Sequence, residues 1–207
     1  MKTVVIPDNV RSIGSDAFYN CGNLTSVTLG SNVKTIGYNA FRSCKNLTSI
    51  NLPDGVTAIG RYAFDGCAKL SSDIIIPCGV KNIEKYTFCN CSSLESVELP
   101  EGLESIGDNA FQNCSSLESV ELPEGLETIG SYAFIDCKEL YSISIPNSVE
   151  SIGSGAFESC SNLASVDLGS GVTSIGSAAF YGCSSLTSIS IPNSVESIGG
   201  SAFDGCI

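Results

Sequence analysis

The chain has 207 residues, a net charge of −12 and no His, so it lacks the commonest general base, Cys–His and Ser–His nucleophilic pairs, and most transition-metal sites. Its acid is concentrated: residues 1–90 carry nine Lys/Arg against six Asp/Glu, whereas residues 91–207 carry one Lys against sixteen acids. A surface of that sign repels phosphate backbones, which excludes nucleic acid as a natural partner, and no apolar run approaches the roughly 18 residues of a membrane span, so no membrane insertion is expected.

The first ten residues, MKTVVIPDNV, run straight into a repeat with no signal peptide. All nine Phe mark its frame: Phe18, Phe41, Phe64, Phe88, Phe111, Phe134, Phe157, Phe180 and Phe203 lie 23 residues apart, with one step of 24 between Phe64 and Phe88. A fixed period in that range predicts a solenoid, and residues 1–207 read as a single domain of about nine coils. The clearest copies are Cys91–Gly107 and Cys114–Gly130, which differ only at Ser105 and Thr128.

Within one coil, Val120 and Leu122 alternate with Ser119 and Glu121, the period-2 pattern of a half-buried strand. Pro123 ends that strand because it has no backbone donor, and Glu124-Gly125 supplies turn chemistry. Leu126 and Ile129 point inward from a second extended piece, and Ala133, Phe134 and Cys137 have the spacing of one helical or 3₁₀ turn. Stacking of coils would pair equivalent strands in parallel near 3–6, 26–29, 49–52, 73–76, 96–99, 119–122, 142–145, 165–168 and 188–191. The extra residue of the 24-step falls near Asp73 and predicts a local bulge.

Two columns form the expected core. Phe88, Phe111 and Phe134 stand for the stacked rings, and Cys91, Cys114 and Cys137 for a thiol column that acts as small hydrophobes with a weak S–H donor for a turn carbonyl. Nine of the eleven Cys share that column and read as reduced; Cys78 and Cys89 lie off it and could pair with each other.

The run Cys-x-x-Leu-x-Ser-Val-x-Leu-Pro-x-x-Val/Leu-x-x-Ile-Gly-x-x-Ala-Phe, spanning residues 4–206, resembles the BspA-type leucine-rich repeat. The resemblance implies an α/β-type leucine-rich-repeat solenoid: right-handed, with a parallel β-sheet on its concave face and mostly extended chain with short helical or 3₁₀ turns elsewhere. It also implies a surface or secreted location and a role in adhesion or in binding a host protein. Glu84 at the Gly position, Thr87 in place of Ala and the insertion at Asp73 depart from the pattern. The chain starts inside a strand and stops at Cys206-Ile207 without a polar cap, so it reads as a fragment of a longer array whose open ends favour end-to-end contacts.

Function is expected on the outward strand residues. Ser26, Ser49, Ser72, Ser96, Ser119, Ser142, Ser165 and Ser188 form one column, read as cross-strand hydrogen bonding on a flat face. Beside it runs the heterogeneous column Thr28, Asn51, Ile75, Glu98, Glu121, Ser144, Asp167 and Ser190. Glu98 with Glu121, extended by Glu95 and Glu118, makes an acidic strip for a basic partner or for Ca²⁺, and Tyr141 beside Glu118 is a candidate aromatic anchor. The candidate binding residues are thus Glu98, Glu121, Glu95, Glu118, Tyr141, Asp167, Asn51, Ser96 and Ser119. No catalytic residue, resident metal or cofactor is expected, and the partner class is an extracellular protein or other macromolecule. The competing reading is a spacer that holds another binding domain away from the cell.

Overall fold

A computed structural model of the chain describes residues 1–71 and 73–207, and each coil in it contributes two short strands and a turn. The first strands are Thr3–Val5, Ser26–Thr28, Ser49–Ile50, Ile74–Ile75, Ser96–Glu98, Ser119–Val120, Ser142–Ser144 and Ser165–Asp167. The second strands are Ser12–Ile13, Thr35–Ile36, Ala58–Ile59, Asn82–Ile83, Ser105–Ile106, Thr128–Ile129, Ser151–Ile152, Ser174–Ile175 and Ser197–Ile198. All pairing is parallel and joins equivalent residues of neighbouring coils, such as Ser96 with Ser119 and Ser105 with Thr128. The alternation in the sequence sets the faces: Val97 and Val120 are buried while Glu98 and Glu121 are exposed.

The chain changes direction between the two strands at a turn closed by a single bond, the Leu126 N–H to the Pro123 carbonyl at 3.0 Å. The same turn closes at Pro7, Gly30, Pro53, Pro77, Pro100, Pro146, Gly169 and Pro192. A residue without a free donor costs nothing at that corner, which is why Pro fills seven of these nine positions, with Gly30 and Gly169 in the other two.

The third side of the coil differs from expectation. Among the described residues there is no α-helix and no 3₁₀ run, so neither the helical component of the α/β label nor the 3₁₀ turn is found. Tyr132 (φ 58°) and Asp136 (φ 59°) adopt the left-handed conformation, and each resets the direction of the chain. As a result the amides alternate. Ala133, Ile135 and Cys137 donate within the coil to Gly130, Tyr132 and Phe134, whereas Tyr132, Phe134 and Asp136 donate to Ser154, Ala156 and Glu158 of the next coil at 2.8–2.9 Å. A helix would send every N–H along its own axis and leave the neighbouring coil unbonded. This arrangement gives a third hydrogen-bonded ladder between coils, which offsets the roughly 1–2 kcal/mol cost of a left-handed non-Gly residue.

The core runs through the middle of the stack. Phe88, Phe111, Phe134, Cys91, Cys114 and Cys137 are all fully buried. Neighbouring Phe rings lie 5.1–5.5 Å apart with planes within 8° of parallel, an offset stack repeated at each of the eight steps. From Cys44 onward each column thiol points back to the Phe carbonyl of the preceding coil, as Cys114 Sγ does to Phe88 O at 3.2 Å and Cys137 Sγ to Phe111 O at 3.2 Å. That carbonyl thereby accepts both the amide of its own Cys and the S–H of the next. Cys78 and Cys89 are both free thiols, one exposed and one buried.

Register resolves the 24-residue step. The Ser71 N–H still reaches Thr48 O, but Ile74 pairs with Val97 and Ile75 with Glu98. The one-residue shift is complete by Asp73, which stands opposite Ser96; the Ser72 placement lies outside the described residues. The shift coincides with a break in the first sheet, whose strands pair as three blocks: 3–50, 74–120 and 142–167. Residues 188–191, expected as a strand, pair with nothing among the described residues and have no strand geometry.

Candidate functional site

The two sheets present different outward surfaces. The second sheet shows Ser12, Thr35, Ala58, Asn82, Ser105, Thr128, Ser151, Ser174 and Ser197, all small and nearly uniform. The first sheet carries the heterogeneous column, and two hollows open on it. One, of about 480 Å³, is lined by Ser26, Thr28, Ser49, Asn51, Asp73 and Ile75; the other, of about 410 Å³, by Asp73, Ile75, Ser96, Glu98, Ser119 and Glu121. Asp73 and Ile75 belong to both.

The candidate residues divide among these features. Ser96, Glu98, Ser119 and Glu121 line the second hollow together. Glu118 and Tyr141 sit around the corner at the strand entrance, in a separate hollow with Glu139, Asn162, Ala164 and Ser185. The corner exists because positions 141 and 142 both face outward between buried Leu140 and Ile143. Glu95 shares that corner column, one coil before Glu118, and lines none of the hollows; Asp167 is exposed on its strand and lines none either. Asn51 lines the first hollow, but its amide is engaged by the preceding coil: it accepts the Leu29 N–H at 2.7 Å and donates to Leu29 O at 3.1 Å.

The Ser column does not form the cross-strand chain expected of it. Among the described residues only Ser96 makes such a bond, donating its hydroxyl to Asp73 Oδ1 at 2.7 Å. The interstrand spacing of about 4.8 Å separates Ser side chains too far for a direct bond, while the longer Asp carboxylate closes the gap.

Four of the cations bridge neighbouring coils away from this face. Arg42 reaches Asp65, Arg61 reaches Glu84, Lys81 reaches Glu104 and Lys85 reaches Asp108, each pair 23 residues apart and so one coil apart. The Lys85 ammonium, with the Ser131 amide, holds the Asp108 carboxyl below its ordinary value. Arg42 also lies 4.8 Å over the Tyr62 ring, which stacks on Tyr86. No Lys or Arg pairs with Asp73, Glu98 or Glu121 among the described residues. Glu98 and Glu121 stand on directly paired strands, with no third carboxylate or thiol completing a metal-holding group among the described residues.

Buried thiols offer no nucleophile. Desolvation pushes the Cys44 thiol up to about 11 and the Cys89 and Cys183 thiols to about 12, and it raises the fully buried members of the column as well. Ile75 and Asp73, the residues that join the two hollows, were the ones sequence reasoning undervalued; the available signal was an aliphatic residue set between Asn51 and Glu98 in its column.

A family model, "BspA type Leucine rich repeat region", matches in six copies over residues 1–92 and 81–207. The chain belongs to the BspA-type leucine-rich repeat family. Among solved structures, this BspA-type chain is similar to a Treponema pallidum leucine-rich repeat protein at 32% identity, covering 99% of this chain and 76% of that one with a TM-score of 0.56. It shares its fold with a leucine-rich repeat protein from Eubacterium ventriosum (21% identity, 100% and 83% coverage, TM-score 0.55). The same holds for the pneumococcal vaccine antigen PcpA (21% identity, 99% and 70% coverage, TM-score 0.53). No curated protein matches the chain. None of the described residues forms a helix long and apolar enough to cross a membrane.

Proposed function

We propose that this BspA-type segment is a non-enzymatic binding module of a surface or secreted protein and that it captures another macromolecule, in adhesion or host contact, through the concave, outward face of its first sheet. The observation that carries the reading is the contrast between the two sheets: a uniform small-residue face on the second, and a face of changing residue type with open hollows on the first. A repeat protein keeps its inward columns constant because each packs on its neighbours, and recognition falls to outward positions that no neighbour constrains. A surface or secreted location of the whole protein is part of the same reading, and membership of the family supports it.

The test is capture from a mixture of extracellular host proteins with immobilised segment as bait. Arginines introduced at exposed Ser119, Ser142 and Ser165 should remove the retained protein, and arginines at Thr128 and Ser151 of the second sheet should leave it bound. Equal retention by all variants would favour the spacer reading.

A further inference from the structure

We infer, resting on that reading of the first-sheet face, that the joint between its two hollows seats an extended protein segment that places one aliphatic or aromatic side chain on Ile75 and a Lys or Arg, two residues further on, between Glu98 and Glu121. Ile75 is 57% exposed in a column that otherwise runs Val5, Thr28, Asn51, Glu98, Glu121, Ser144, Asp167 and Ser190, and Val5, its other aliphatic member, lines neither hollow. It lies where the first sheet is interrupted, so the hollows on either side meet at it. A lone exposed isoleucine needs no explanation in itself. One set at the junction of two hollows with unpaired carboxylates on a single side is a two-part surface, apolar at one end and anionic at the other.

The electrostatics select the sign of the partner. Glu98 and Glu121 repel each other across paired strands. Among the described residues no Lys or Arg of the chain pairs with either carboxylate, so relief is left to a cation from outside. A bare metal ion is poorly served, because no third ligand stands with the pair among the described residues. On the opposite side of Ile75, the Asn51 amide is tied to Leu29, so that wall supplies shape rather than charge.

Spacing selects the motif. Measured from Ile75 along the stack, Glu98 is one strand away and Glu121 two, at about 5 and 10 Å. Alternate side chains of an extended segment are about 7 Å apart, which brings a cation at the second following position between the two carboxylates. The recognised pattern is apolar–any–Lys/Arg.

Fluorescence anisotropy with three labelled peptides tests this. The first repeats Thr-Leu-Thr-Lys, the second Thr-Ser-Thr-Lys and the third Thr-Leu-Thr-Glu. The first should bind, the second about tenfold more weakly because the buried aliphatic contact is lost, and the third not measurably. Ile75→Asn and the double variant Glu98→Gln/Glu121→Gln should each weaken the first peptide about tenfold, with melting temperatures showing that both remain folded; Ile75→Thr, the residue found at position 28, is the second apolar-loss variant. Equal binding of the first two peptides, or binding unaffected by loss of Ile75, reduces the surface to charge alone and overturns the inference. If no peptide binds while the Ser119/Ser142/Ser165 arginines still abolish capture, this site is wrong and the face reading stands; if those arginines also do nothing, both fall.

Discussion

Replacing Phe111 with alanine removes a ring held between Phe88 at 5.5 Å and Phe134 at 5.2 Å, with no solvent exposure and nothing able to move into the space. The lost transfer energy is about 2 kcal/mol. A residual cavity approaching the volume of the ring adds roughly 2 kcal/mol at about 24 cal/mol per Å³, so the total is about 4 kcal/mol. In a linear array the damage also has a location, because each coil is coupled only to its neighbours and a central break separates two halves. Urea unfolding followed by far-UV circular dichroism should show both the loss and a broadened transition. Phe18→Ala is the control: that ring is partly exposed and stacks on Phe41 alone, so its truncation should cost about half as much. If Phe111→Ala costs no more than Phe18→Ala, or less than about 1 kcal/mol, the stacked rings are not the spine of this fold.

Alkylation of the native protein near pH 8 should modify exposed Cys78 first, then half-buried Cys21 and Cys206 slowly, and leave the other eight thiols intact until denaturant is added, because burial holds their pKa values up; mass spectrometry counts the adducts. Gly130→Ala should cost about 1–3 kcal/mol, since its Cβ would sit 2.6 Å from the Asp108 nitrogen and the Gly107 carbonyl carbon, whereas Gly14→Ala meets nothing within 4 Å and should be tolerated; a thermal melt of the two variants compares them directly. Asp108→Asn should lose at most about 1 kcal/mol at neutral pH, given the solvent exposure of the Lys85 pair. Because the folded carboxyl titrates below its ordinary 3.8, that contribution is complete above this value and disappears as the pH falls through the lowered folded value, so variant and parent should converge in acid unfolding curves. Glu121→Gln should raise stability by about 0.2–1 kcal/mol by relieving repulsion from Glu98, read as a higher urea midpoint at low ionic strength that shrinks with added salt.

Periodicity made the inward half of the coil legible. Leu117, Val120, Leu126, Ile129, Phe134 and Cys137 recur at fixed offsets because each must pack on its own equivalent, and all are buried. The turn after Ile129 was not legible, because its spacing suits a helical turn and a tyrosine at position 132 gives no hint of left-handed backbone. The hint lies in the column: Asp16, Asn39, Asn109 and Gly155 occupy the same place, all residue types that tolerate positive φ. The register at the insertion was equally hidden, since Leu70-Ser71-Ser72-Asp73 fits the Ser column with either Ser72 or Asp73 in place. Only the backbone pairing of Ile74 with Val97 and of Ile75 with Glu98 decides between them, and with that decision Asp73 joins Ile75 on the candidate face.

Charge distribution ties stability to function in this array. Arg42, Arg61, Lys81 and Lys85 latch onto acids one coil ahead, and the latches end at Glu104 and Asp108. Beyond them a single Lys remains, and it pairs with Asp136 of its own coil. The acids of the first-sheet face from Asp73 to Glu121 stand beside this ladder yet outside it, on strands where a cation at the matching position would have been a one-residue change. The core loses nothing by such a change, because Asp73, Glu98 and Glu121 are all exposed. Leaving like charges opposed at Glu98 and Glu121 is a small, local cost to folding that a cationic partner would remove on binding, as the proposed recognition requires.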